Sequence, residues 1–247
     1  MSFDEFLYSI GESVERIVSA VRSFIFPEPS ENPPSFGFTG RFVKSNVTLH
    51  ELFSLHLQLC FLLYLFLNFA LVFLTRNPLW LIVVAAPYFL YLRYLLRRYG
   101  DFLLDKKPYQ VFYAVLSALS FLAFFGYSLV RLYAGGIVYV YLYILSVAAL
   151  VLIFRWYFKR TFGRDYTYGV VEEVKNDVIK VFVHDDIAAN VKPGRYWLPA
   201  VPDAEPGRVV KVLVEDRTFR SARPVRIIEV YLPQSSQSST EPKNATE

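Results

Sequence analysis

Cysteine and methionine are almost absent: the 247-residue chain has one of each, Cys60 and the initiator Met1. A single cysteine excludes a disulfide within the chain, so nothing points to an oxidising compartment. Cys60 lies in an apolar run, where burial leaves a thiol inert and makes it a small packing residue. Asn and Gln are also sparse outside residues 233–247, which fits a thermophilic source.

Acidic residues are missing from two long stretches, between Glu51 and Asp101 and between Asp105 and Asp165. Ion-coupled transporters place carboxylates at mid-membrane because function repays the cost of burying them, so this absence argues against that class. There is also no Gly-x-Ser-x-Gly elbow, no Walker loop and no His-Glu-x-x-His. His50 and His56 are six residues apart, on different faces of a helix, and His184 is remote. No catalytic residue, cofactor site or metal site is expected, and the chain does not read as an enzyme. The opening Met-Ser-Phe-Asp-Glu is acidic where a cleaved signal peptide would be basic, so none is expected.

What fills the acid-free stretches is hydrocarbon and aromatic. The chain is 54% hydrophobic, with 18% aromatic residues, against about 45–50% apolar in an average soluble domain. Four blocks, 54–74, 79–96, 109–132 and 137–158, are each close to the roughly 20 residues a helix needs to cross a bilayer. Thr48 and Glu51 have capping-box spacing ahead of the first block. Pro87 predicts a kink in the second, and Pro108 precedes the third. Short connections at Arg76 and Gly135-Gly136 make two antiparallel hairpins.

Basic residues orient these spans. They cluster before the first (Arg16, Arg22, Arg41, Lys44), between the second and third (Arg93, Arg97, Arg98, Lys106, Lys107) and after the fourth (Arg155, Lys159, Arg160, Arg164). The other two loops have only Arg76 and Arg131. Basic loops stay in the cytoplasm, so both termini are expected there, in a plasma membrane. The net charge of +4 is then a matter of topology rather than of nucleic-acid binding.

Residues 1–26 read as an amphipathic helix with Phe3, Phe6, Leu7, Ile10, Val14, Ile17, Val18, Val21 and Phe24 on one side. Its polar side is acidic on balance, where a helix seeking anionic lipid should be basic, so docking on protein and lying on the bilayer fit equally. Residues 27–48 form a Pro-rich linker. Residues 165–232 hold five short runs rich in Val, Ile and Tyr, separated by turn signals such as Asn176-Asp177 and Pro206-Gly207. They predict a small five-stranded β-barrel of OB or SH3-like kind. The whole is therefore an α+β membrane protein, with a disordered polar tail at 233–247.

Candidate contact residues are few. His56, Gln58 and Asn68 are the polar residues of the first span, and Asn68, the deepest, is expected to bond to another helix. Asp185-Asp186 reads as a solvated loop rather than a cation site. The β segment has ten Lys and Arg against eleven Asp and Glu, too balanced for nucleic acid. Arg217, Arg220, Arg223 and Arg226, at steps of three in a loop-like stretch, form either a patch facing lipid or RNA phosphates or, more simply, surface arginines paired with Glu215, Asp216 and Glu229.

The acidic amphipathic start with its Ser-Phe-Asp-Glu-Phe-Leu, the Pro-rich linker, the aromatic spans and the Val-rich β segment together resemble a family of predicted archaeal membrane proteins of unknown function from heat-loving, Thermococcus-like organisms. The resemblance implies an archaeal plasma membrane and carries over no functional residue. The expected role is an anchor or scaffold that presents the β domain to a protein partner or a second copy. A channel or small-solute conduit is the alternative.

Overall fold

The computed structural model describes residues 3–34, 36–40, 48–134, 136–217 and 220–231. Arg41, Lys44 and the tail at 233–247 lie outside the described residues. The chain divides into two compact units, Met1–Gly163 and Arg164–Glu247.

The first unit is helical. α1 (Phe3–Ile25) leaves Val14, Val18 and Val21 at least half exposed. Of its described side chains, Phe24 reaches protein, stacking on Tyr94 with centroids 5.0 Å apart. The linker after it is fastened down rather than free. Ser30 N–H donates to the Arg98 carbonyl at 2.9 Å, and Pro27 and Pro34 are buried. Proline enters such a strap at low entropic cost because its φ is already fixed. The strap ends in a single turn, α2 (Gly37–Gly40).

Four long apolar helices follow: α3 (Leu49–Leu74), α4 (Leu79–Arg98), α5 (Lys106–Tyr133) and α6 (Ile137–Phe162). At 1.5 Å per residue each is at least roughly 30 Å long, enough to cross a hydrocarbon core. The capping box forms as the sequence indicated: Glu51 N–H donates to Thr48 Oγ1, and Thr48 N–H to Glu51 Oε2. The helices overrun the apolar blocks at their basic ends, because Arg97-Arg98 and Lys159-Arg160 complete last turns, where cations complement the helix dipole. α5 begins two residues before Pro108, which is tolerated there because first-turn N–H groups have no partner in the helix. α4 runs unbroken through Pro87.

Buried Phe53, Leu57, Tyr64, Asn68 and Val72 run down one stripe of α3, facing α4 and α5. Among the described residues α6 packs on α5 alone and buries only Phe154 and Phe158. Tyr143 joins the two helices: its hydroxyl donates to the Leu122 carbonyl at 2.6 Å and lies against Gly126, which has no side chain to block it.

The second unit is one antiparallel sheet of β1 (Tyr166–Lys175), β2 (Val178–Val183), β3 (Gly194–Pro199), β4 (Val209–Arg217) and β5 (Arg220–Val230), in the order β3-β2-β1-β4-β5. It curls into a half-barrel in which edges β3 and β5 approach each other. Alternating Val171, Ile179, Val181, Val183, Val210 and Val212 fill the concave side. Asn176, at φ 41°, makes the tight β1–β2 turn. Gly169 lets β2 come close, since a Cβ there would sit 2.6 Å from Val181. β5 starts at Arg220, inside the stretch that reads as a loop in the sequence. Pro224 reads as a strand breaker, but β5 is an edge strand, where a missing N–H need not cost a ladder bond.

Candidate functional site

Polar groups in the helical unit gather along α3. His56 Nδ1 lies 2.7 Å from Thr39 Oγ1 on the strap, and its Nε2 lies 2.9 Å from the Tyr91 hydroxyl on α4. Phe36 stacks on the same ring at 4.1 Å. A neutral imidazole has one donor and one acceptor nitrogen, and here each has a hydroxyl partner. His56 thus ties the strap, α3 and α4 together. Cys60 Sγ is 3.5 Å from Nε2. Gln58 bonds within its own helix, to Ser54 Oγ at 3.4 Å.

Asn68 is fully buried but does not behave as expected. Its Nδ2 donates to the Tyr64 carbonyl, one turn back in the same helix, at 2.7 Å. Its Oδ1 and the Tyr64 hydroxyl meet no partner among the described residues. Long-range bonding comes from side chains on the facing helices instead: Tyr88 to Ser117 at 3.0 Å, and Arg131 to the Val72 carbonyl at 2.7 Å. Two aromatic-flanked hydroxyls on separate helices leave no pattern in sequence, which is why the Tyr88–Ser117 pair was missed. No three His, Cys, Asp or Glu side chains among the described residues could share a metal ion.

In the second unit Asp186 is not a solvated loop residue. It is 1% exposed and accepts from Arg164 at 3.1 Å, Thr167 at 2.8 Å and the N–H groups of Ala188 and Ala189. A carboxylate with that many donors is a structural clamp that fixes the entry of β1 to the 186–191 turn. The sequence hides this because Thr167 and Arg164 are about twenty residues away.

The four arginines are in the β4–β5 hairpin, not a loop. Residues three apart on a regular strand face opposite sides, yet Arg220, Arg223 and Arg226 pair with Arg217, Glu215 and Leu213, which alternate on one face of β4. A register shift in each interval gives β5 one extra residue. The bulges turn a three-residue spacing into one outward row, with all four arginines exposed. On the same face Lys211 sits 4.2 Å over the Tyr166 ring. Towards the other edge, Trp197 is 49% exposed with Lys175 and Lys180 against its ring. Beside it, Lys175 bonds Glu173 at 2.8 Å and holds that carboxyl below its ordinary range.

Four apolar helices of spanning length and a curled antiparallel sheet define a four-span α+β membrane protein. The model of the DUF2101 family, described as predicted membrane proteins, matches residues 21–228, and the chain belongs to that family. No curated protein and no solved structure matches it.

Proposed function

We propose that the protein is a non-catalytic membrane anchor whose four helices hold the half-barrel at the cytoplasmic surface of a plasma membrane for contact with a protein, a second copy included. The observation that carries this reading is Trp197. It stands on edge strand β3, half exposed, beside Val178 and Pro199 on the outward side and ringed by Lys175, Lys180 and Glu173. An exposed tryptophan within a charged rim is the usual anatomy of a contact hot spot. The exposed Val14, Val18 and Val21 of α1 fit the same arrangement, with that side of the helix turned to lipid.

A conduit has less support. The interior between α3 and α4 is plugged by Tyr64 stacked on Tyr88, and among the described residues α6 touches α5 alone. Light scattering of the protein purified in mild detergent tests the anchor reading. It predicts a species larger than one chain, or a stoichiometric companion, that Trp197→Glu dissociates. A lone monomer under every condition contradicts it.

A further inference from the structure

The register of the sheet fixes which end carries the arginines. Tyr166, the first residue of β1, pairs with Leu213, and Val214 N–H donates to the Asp165 carbonyl. Residues 215–217 of β4 and 220–223 of β5 therefore project beyond the start of β1, on the side from which the chain arrives. Only residues 163–165 separate α6 from β1, and three residues reach at most about 11 Å. Arg217, Arg220 and Arg223 thus stand at the end of the sheet where the chain enters β1 after α6.

We propose that this hairpin binds the anionic phosphate headgroups of the bilayer the helices cross. Four guanidinium groups stand in one outward row against two carboxylates at the tip, Glu215 and Asp216. Among the described residues none of the four guanidinium groups makes a hydrogen bond or an ion pair, although Glu215 is the register partner of Arg223. Guanidinium forks match phosphate oxygens in geometry and charge, and cations at an anionic surface are attracted over about a Debye length. The three-residue tether supplies the proximity. Nucleic acid is disfavoured because the rest of the unit is acidic enough to balance the row.

The inference rests on the membrane-anchored reading but not on any protein contact, so its test uses single chains. The full-length protein is placed one per nanodisc, in zwitterionic lipid or with added phosphatidylglycerol, and treated with an arginine-specific dicarbonyl. Modification is read at each arginine by peptide mass spectrometry, with Arg195 as the reference. The expected result is modification of Arg217, Arg220, Arg223 and Arg226 slowed about tenfold in anionic discs, and restored in 1 M salt, where the Debye length falls to about 3 Å. Equal rates in both discs overturn the proposal. Equal protection in zwitterionic discs by inorganic phosphate, or by a short RNA, overturns it in favour of a soluble anion. Failure here leaves the oligomer measurement untouched, and failure of that measurement leaves this one standing.

Discussion

Tyr64 and Tyr88 lie face to face, with ring centroids 4.0 Å apart and an interplanar angle of 8°. The pair sits where α3 meets α4, one turn from Asn68, and its polar atoms part company. Tyr88 bonds Ser117 on α5, while the Tyr64 hydroxyl and Asn68 Oδ1 go unsatisfied among the described residues.

An unmet buried acceptor is a cost that an apolar side chain of the same size would remove. Asn68→Leu should therefore leave thermal stability in detergent unchanged or raise it, by up to about 1–2 kcal/mol. Scanning fluorimetry reads the change. A clear fall in Tm would mean that the amide holds a partner.

The α5–α6 contact depends on Gly126 and Tyr143. Any Cβ at position 126 collides with the Tyr143 ring. Gly126→Val should cost about 1–3 kcal/mol through overpacking. Tyr143→Phe should cost only about 0.6 kcal/mol, the usual worth of a hydrogen bond between membrane helices. Unfolding in mixed micelles compares them. The ordering of the two losses is the informative result, and a larger loss for Tyr143→Phe would contradict the packing account.

Asp186 accepts from two side chains and two backbone N–H groups while almost fully buried. Asp186→Ala in the full chain should destabilise the sheet by about 3–5 kcal/mol, because it strands Arg164 and Thr167. Limited proteolysis should then cut within 164–231 before it cuts the helices. Resistance equal to the parent protein would show that the clamp is dispensable.

His56 fastens the strap through Thr39. Removing that bond with Thr39→Val should speed amide exchange over residues 36–40 roughly 2- to 10-fold, as expected for the loss of about 0.5–1.5 kcal/mol. The Phe36 stack on His56 stays in place. No change in exchange would assign the strap's position to Phe36 and the buried prolines instead.

The periodic features of the fold were legible in the sequence. Four long apolar blocks, a capping box at Thr48 and Glu51, and alternating valines closed by Asn176-Asp177 each depend on neighbours along the chain. What was hidden depends on register or on distant partners. The step of three in Arg220, Arg223 and Arg226 looked like a loop because bulges are invisible until β4 supplies the partners. Asp186 looked solvated because its donors come from the start of β1. Asn68 was expected to reach across helices, yet its amide bonds the Tyr64 carbonyl one turn back in its own helix.

On the proposed anchor reading, four crossings put the N-terminal strap, the 99–105 connection and the sheet on one side, and residues 75–77 and 136 on the other. Single cysteines placed at Ser30, Asp101, Asn77 and Asp177 in a Cys60→Ala background, labelled with an impermeant maleimide on intact cells, test this most directly. The account predicts labelling at 77 alone, with 30, 101 and 177 reacting only after the membrane is opened. Labelling of 177 from outside, or of 30 and 101 from opposite sides, would contradict it.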